Sequence, residues 1–481
     1  MTASEMAPLV KTGGLGDVLG ALPHALAELG HEVIVCIPYY EKDINRNIEL
    51  TSSDIHSSVE IDGKLKSYTV SEVISSKDSF KTFVIGNDEM FGRSGLYVDP
   101  KTGKDFEDND TRFSFFAKAV IDLAQKLKWR PDIIHAHDWQ TALTPVYLRT
   151  VEKDNQFFAK TKLVLTIHNM AYQGKFKTNR YRFLGLPEKL IYATEPLEFY
   201  GETNFLKGGI SFADKITTVS ETYAAEIQGE LGCGLEGVLQ KRSKDIVGIL
   251  NGVDYSIWSP AKDNLIPFQF RETNLTGKSK NKAALLKEAG LSNHKGVPLF
   301  GMVSRLVEQK GLGLIIEAAE QLFSLNLQLI ILGTGDKKSE QTLKSLEKKH
   351  SDNLKVYLEF DERRAHLIEA GSDIYLMPSL FEPCGLNQMY ALKYGTPPIV
   401  HKVGGLADTI VDYNEETERG TGFVFDEFTS RAMLQSIERA INLFGEKRKW
   451  TKLMKNGMKQ NYSWDKSALK YSELFEKLIE N

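Results

Sequence analysis

Short apolar runs alternate with amphipathic, helix-like stretches along almost the whole chain. Bounded by Gly, Pro, Asn and Asp, these runs predict strands at residues 32–37, 82–85, 132–135, 162–167, 215–219 and 246–250. A second series falls at 299–303, 328–332, 355–358, 374–377 and 398–400. Between them, segments such as 112–126, 317–323 and 339–349 carry helical periodicity. Strand and helix in this rhythm build parallel sheets with helices on both faces. The pattern therefore predicts an α/β protein of two doubly wound domains, the first ending near residue 250. The polar stretch 259–282 reads as a loop that re-enters the second domain. Near the C-terminus Trp464, Ala468, Tyr471, Phe475 and Leu478 are spaced 4, 3, 4 and 3, the apolar stripe of a packed helix.

Composition narrows the class without adding chemistry. The 481 residues are 42% hydrophobic and 26% charged, with 60 Lys and Arg against 64 Asp and Glu, a net charge of −4. So even a balance gives no electrostatic case for nucleic-acid or membrane partners. No window approaches the ~20 consecutive apolar residues of a membrane span. The start, MTASEMAPLVKTGG, lacks the basic-then-apolar order of a signal peptide. Cysteine is sparse and odd in number (Cys36, Cys233 and Cys384), with no C-x-x-C pair. A soluble protein of the reducing cytoplasm fits this usage; a disulfide framework or a cysteine-rich zinc site does not.

Candidate chemistry lies where strands give way to turns. Lys11-Thr-Gly-Gly-Leu-Gly-Asp17 precedes a helical stretch. Its glycines (Gly13, Gly14 and Gly16) would let backbone N–H groups approach an anion at a positive helix end, with Lys11 and Asp17 bracketing them. It is neither a Walker loop nor a G-x-G-x-x-G fingerprint, and a simple tight turn is the alternative. His135-Ala-His137-Asp138 ends a predicted strand. A metal site is one reading, but no further ligand cluster accompanies it, and Asp138 is better placed for a hydroxyl-rich organic ligand. Thr166-Ile-His168-Asn169 ends the next strand, where His168 is either a structural residue or part of a site.

The second half carries sharper signals. Arg305 and Lys310, five residues apart in Ser304-Arg-Leu-Val-Glu-Gln-Lys-Gly311, leave a strand and enter a helix. Cations so placed can bind a diphosphate and neutralise a leaving group. Gly333-Thr-Gly335 follows another strand and admits a nucleotide close to the backbone. The segment 378–388 contains Glu382, Cys384, Gly385 and Leu386 ahead of a helix, a setting for sugar hydroxyls and phosphate, and Gly404-Gly405 repeats the strand-to-glycine turn. Cys384 as a nucleophile is disfavoured, since no His lies near it in sequence. Asp108-Asn-Asp110 has the D-x-D form of some metal-dependent transferases, but its place ahead of a helix favours capping or solvation.

Together these motifs resemble the bacterial and plant glycogen (starch) synthases. The matching segments are KTGGLGDV at 11–18, HAHDWQT at 135–141, TIHN at 166–169, NGVD at 251–254, SRLVEQKG at 304–311, FEPCGLNQ at 381–388 and GGLADT at 404–409, in the family's order. The resemblance implies a GT-B fold. It would have a Rossmann-like acceptor-side domain (1–250), a Rossmann-like nucleotide-sugar domain (251–460) and a last helix (461–481) crossing back to the first, around a cleft that closes over the donor. The implied activity is retaining transfer of glucose from ADP-glucose to an α-1,4-glucan. No metal or other cofactor, nucleic acid or membrane is implied, and a homo-oligomer is left open. The resemblance puts Lys11 and the glycine turn at the donor phosphates and glucose, and Arg305 and Lys310 at the diphosphate. It puts Glu382 on the donor glucose with backbone groups of Cys384, Gly385 and Leu386, and His168 by the anomeric centre. Asp138 and Asn251 would hold sugar hydroxyls; Asn169, Gly333, Gly335, Gly404 and Gly405 complete the implied binding set.

Two departures stand out. Family members carry a short apolar strand before the A-S-E-M-A-P segment, whereas this sequence starts almost at it. Loss of that strand would strip hydrogen bonds from the centre of the first sheet, as in a truncated chain or one begun at an internal methionine. At the position of an adenine-stacking Tyr stands Phe360, which keeps the ring and loses the hydroxyl. The competing functions are a UDP-glucose or different-acceptor transferase of the same fold, and a glucan-binding protein with a dead site. An NAD-linked oxidoreductase is disfavoured by the missing dinucleotide fingerprint.

Overall fold

Hydrogen bonding in the first sheet begins with the first residues. In the computed structural model, which describes residues 1–74 and 79–480, Thr2 lies between the strands Ile34–Pro38 and Ile133–His137. Its amide donates to the His135 carbonyl (2.8 Å) and its own carbonyl accepts from His137 (3.1 Å). The Ala3 amide donates to Cys36 (3.2 Å) and the Cys36 amide to Met1 (3.0 Å). The bonds expected to be stripped from the sheet centre are therefore made, by residues 1–3.

The chain divides into two units, Met1–Gly252 with Trp464–Asn481, and Val253–Ser463. In the first, the strands run in the order Leu50–Ile61, Lys64–Val73, Lys81–Gly86, Ile34–Pro38, residues 1–3, Ile133–His137, Lys162–Ile167, Lys215–Thr218 and Ile246–Gly248. From Lys81–Gly86 onward the neighbours are parallel. Leu50–Ile61 and Lys64–Val73 form an antiparallel hairpin turned by Asp62 and Gly63, at φ 54° and 66°. The apolar pattern misses this hairpin because only Val59 and Ile61 of LTSSDIHSSVEI are buried and most of its residues are polar. Helix Trp464–Glu480 buries Trp464, Ala468, Tyr471, Phe475 and Leu478. Tyr471 and Phe475 lie against the His135 ring (5.6 and 5.8 Å), and Ser472 Oγ is 2.7 Å from His31 Nε2. Each large apolar side chain so buried stabilises the unit by about 1.5–3 kcal/mol before ordering entropy.

The second unit is a six-stranded parallel sheet in the order Leu354–Tyr357, Gln328–Leu332, Leu299–Val303, Ile374–Met377, Pro398–His401 and Phe423–Phe425. This is the doubly wound order: all strands stay parallel, and the sequence in which they are added along the sheet reverses between Leu299–Val303 and Ile374–Met377. The edge strand Phe423–Phe425, three residues long, escapes the apolar pattern. Residues 259–282 are not all loop, because helix Thr276–Ala289 starts within them. Its buried face includes Lys278 and Asn281, which hides the apolar period. Both are satisfied: Lys278 Nζ donates to Thr396 Oγ1 (2.7 Å), and Asn281 exchanges bonds with the Phe268 backbone (2.7 and 3.1 Å). The helix expected at 317–323 is two, Leu312–Glu317 and Ala319–Ser324.

Candidate active site

Open parallel sheets bind ligands beyond the carboxyl ends of their strands, where the strand order reverses. In the second unit the two strands at that point pair only through Phe300↔Ile374 and Gly301↔Tyr375. Past this pair they part, and side chains take over from the ladder. Tyr375 Oη accepts from the Val303 amide (3.0 Å), while Asn387 Nδ2 donates to Tyr375 Oη (2.8 Å) and the Val303 carbonyl (2.7 Å).

The opening gathers the charges singled out in the sequence. Arg305 is exposed, and its side chain has no hydrogen bond or ion pair among the described residues, only its carbonyl accepting from the Val307 amide (3.0 Å). Lys310 Nζ lies 2.5 Å from Glu382 Oε2, with side chains only 16% and 8% exposed. Ser379 Oγ donates to the same oxygen (3.0 Å). Glycines let the surrounding loops touch. A Cβ would fall 1.8 Å from Ser304 O at Gly333 and 2.0 Å from Leu306 O at Gly335. At Gly404 and Gly405 it would fall 2.1 Å from Glu382 O and 1.9 Å from Cys384 O. These glycines, read in the sequence as points of nucleotide approach, thus pack loop on loop. The Cys384 and Gly385 carbonyls each accept from Gln388 Nε2 (3.0 Å), and Leu386 caps helix Asn387–Lys393. Phe360, beyond the strand Leu354–Tyr357, is 90% exposed.

In the first unit the turn after Lys11 differs from an open anion cradle. The N–H groups expected to face an anion are partly occupied. The Thr12 amide and hydroxyl and the Gly13 amide are drawn to the carboxylate of Glu5. Burial pushes Glu5 up to about 6, against the pull of those bonds. Lys11 Nζ pairs with Asp17 Oδ1 at 2.6 Å, near the start of helix Gly14–Glu28, whose N-cap is Gly13. A Cβ on Gly16 would meet Lys11 Cγ at 2.9 Å.

The strand Ile133–His137 runs through its second histidine, so His135 and His137 share a face, rings 4.1 Å apart. One nitrogen of each bonds to protein, His135 Nε2 to Thr166 Oγ1 (2.6 Å) and His137 Nδ1 to His168 Nε2 (3.0 Å), while His135 Nδ1 and His137 Nε2 are buried without a hydrogen-bond partner among the described residues. Among the described residues no three His, Cys, Asp or Glu are grouped to hold a metal ion. Burial lowers all three histidines from 6.5, His168 to about 3, so the rings are neutral at pH 7. Asp138, at φ 57°, accepts from the His168 amide (2.7 Å). Burial raises it to about 7, opposed by the His168 and Asn169 amides. Its carboxylate, expected on a sugar hydroxyl, binds the backbone of the His168 loop. Asn169 Oδ1 accepts from the Ala171 amide (3.0 Å), while Asn251 is buried with its Oδ1 unpartnered.

In the D-x-D segment Asp108 stands at the N-cap of helix Asn109–Lys126 without a side-chain cap bond and stays 38% exposed, while Asp110 is buried. Asp108 pairs with Arg93 (2.7 Å) and buried Asp110 with Arg180 (2.5 Å). Sequence motifs alone overlooked Glu5, Ser379, Tyr375 and the role of His137. Glu5 and Ser379 lie inside quoted segments, but their partners are fixed only by folding.

Residues 1–241 match the starch synthase catalytic domain, and residues 287–457 match glycosyl transferases group 1. A glycogen synthase of Geotalea daltonii is 43% identical over 478 residues, covering 99% of this chain and 98% of that protein. One from Koribacter versatilis is 45% identical over 479 residues, covering 99% and 97%. The catalytic domain of starch synthase IV from Arabidopsis thaliana, bound to ADP and acarbose, has a TM-score of 0.91 at 34% identity, with 100% of this chain and 99% of that one covered. A sucrose-phosphate synthase from Thermosynechococcus elongatus, at 16% identity and a TM-score of 0.60, shares the fold. No helix among the described residues is long and apolar enough to cross a membrane. With family domains along both halves and full-length relatives above 40% identity, the chain belongs to the glycogen and starch synthases, glucosyltransferases of GT-B fold.

Proposed function

We propose that the enzyme transfers glucose from ADP-glucose to the non-reducing end of an α-1,4-glucan, with retention of configuration and without a metal, in the cytoplasm. The observation that carries this reading is the Lys310–Glu382 pair at the strand-order reversal of the second unit, with the unpartnered Arg305 side chain just past the end of strand Leu299–Val303. Cleaving a glycosyl–phosphate bond builds negative charge on the departing diphosphate and positive charge on the sugar. Arg305 and Lys310 offset the first; Lys310 has three N–H donors, of which Glu382 engages one. Glu382 holds both the ammonium and a donor glucose hydroxyl, and Phe360 offers its exposed ring to adenine. Lys11 contributes charge to the donor phosphates. His168, neutral at pH 7, can bond a sugar hydroxyl without repelling an oxocarbenium-like transition state.

The ADP and acarbose carried by the Arabidopsis structure support a nucleotide and a glucan as ligands. The test compares ADP-glucose with UDP-glucose as donors, with glycogen present and absent, for the wild type and Lys310→Met. ADP-glucose and glycogen should give the higher rate, and Lys310→Met should reduce it. A preference for UDP-glucose, or an undiminished Lys310→Met, would refute the reading.

A further inference from the structure

The turn that carries Lys11 has an internal anchor. Glu5 is only 3% exposed and sits just past the central segment of the sheet formed by residues 1–3. Its Oε2 accepts from the amide and the hydroxyl of Thr12, the hydroxyl at 3.0 Å, and the Gly13 amide also bonds the carboxylate. Between them the chain closes on itself: Met6 and Val10 exchange backbone bonds (3.0 and 2.9 Å), and the Ala7 amide donates to Gly16 (2.9 Å). One buried carboxylate therefore holds the two residues that follow Lys11.

We propose that Glu5 is a positioning residue for glucosyl transfer: its ionised carboxylate fixes the Lys11-Thr12-Gly13 turn and so aims the Lys11 ammonium. The proposal rests on the assignment of Lys11 to the donor. Protonation removes the charge that makes three donors converge on this carboxylate. The groups facing Glu5 are Asp17 on the following helix, Tyr40 and Tyr97 from neighbouring loops, and Asp138 from the adjacent strand end. All are acidic or neutral, so none of them offsets its charge. That is why burial can carry its titration up to about 6, within the range an assay reaches.

A double-mutant cycle with Glu5→Gln and Lys11→Ala tests this. Glu5→Gln keeps the shape and should lower kcat/KM for ADP-glucose about 10- to 100-fold at pH 7.5, the scale of a lost charge-assisted bond. If Glu5 acts through Lys11, the double variant falls within about twofold of Lys11→Ala alone. The wild-type advantage over Glu5→Gln should also shrink from pH 7.5 to 5.5, as the wild-type carboxylate becomes neutral. Multiplicative losses, or a ratio constant with pH, overturn the proposal while leaving Lys11 assigned. Full activity in Lys11→Ala overturns that assignment and the proposal with it. Should Glu5→Gln fold poorly, exposed Thr12 supplies the second route. Thr12→Val should lose activity and Thr12→Ser retain it, and an unimpaired Thr12→Val counts against the anchor.

Discussion

Replacing Gly405 with alanine probes the loop packing at the donor end of the second sheet. A Cβ there would stand 1.9 Å from the Cys384 carbonyl oxygen, 2.5 Å from its carbonyl carbon and 2.6 Å from its Cα. All three are backbone atoms, so no side-chain rotation relieves the overlap, and the two segments must separate by about 1 Å. The same contact carries bonds from the Gly405 amide to the Glu382 and Pro383 carbonyls (3.0 and 3.2 Å). Prising it open shifts Glu382, whose carboxylate lies 2.5 Å from Lys310. A misplacement of about 1 Å at a reacting centre costs on the order of 100-fold in rate, and the strain about 1–3 kcal/mol of stability. Initial rates of glucose incorporation into glycogen, alongside thermal unfolding, measure both. Gly313→Ala is the control: it lies in helix Leu312–Glu317 with open space around its Cβ, so activity should hold and stability rise slightly. Gly405→Ala with wild-type kcat and KM would refute the reasoning that this close approach sets the Glu382 geometry.

Other expectations follow from single features. Phe360→Ala should raise KM for ADP-glucose about 5- to 100-fold with an unchanged melting temperature, because the exposed ring supports a base and not the core; an unchanged KM would remove Phe360 from the adenine site. Glu382→Gln leaves the Lys310 ammonium largely buried without its anionic partner, so both kcat and melting temperature should fall, the latter by about 1–3 kcal/mol in stability; a variant as stable and active as wild type would contradict this. The histidine cluster should make the first unit acid-sensitive. With His135, His137 and His168 depressed below 6.5, the unfolded chain binds more protons as pH falls, and each ring costs up to about 1.4 kcal/mol per pH unit below that value. Glu5 and Asp138, raised to about 6 and about 7, act in the opposite sense: their stabilisation is present at low pH and is lost as pH rises through those values. Three groups against two predict a lower melting temperature at pH 5 than at pH 7.5, and a rise on acidification would show the carboxylates to dominate.

Elements buried on both faces were the legible ones. The strands Lys162–Ile167, Leu299–Val303, Gln328–Leu332 and Ile374–Met377 are continuous apolar runs because parallel strands face helices on each side. Leu50–Ile61 buries only Val59 and Ile61 and carries no such mark. Helix Thr276–Ala289 was hidden by Lys278 and Asn281, polar residues turned inward because partners from other segments satisfy them. In the site, motif spacing drew attention to Lys11, His168, Arg305, Lys310 and Glu382. Their pairings remained invisible, since Lys310 and Glu382 are 72 residues apart and His137 and His168 are 31 apart.

The class of fold, the strand ends at which chemistry gathers, and the family to which the motifs point are all written in short stretches of residues. Those properties are local: burial on two faces dictates apolar runs, and tight strand-to-helix turns dictate glycine. Which groups meet is settled by folding. It turned the amides of Thr12 and Gly13 towards Glu5, gave Asp138 to the His168 backbone, buried Asp110 against Arg180, paired Lys310 with Glu382, and left the Arg305 side chain without a partner among the described residues. Hydrogen bonds and charges act over a few ångströms, and distance along the chain says little about distance across a fold.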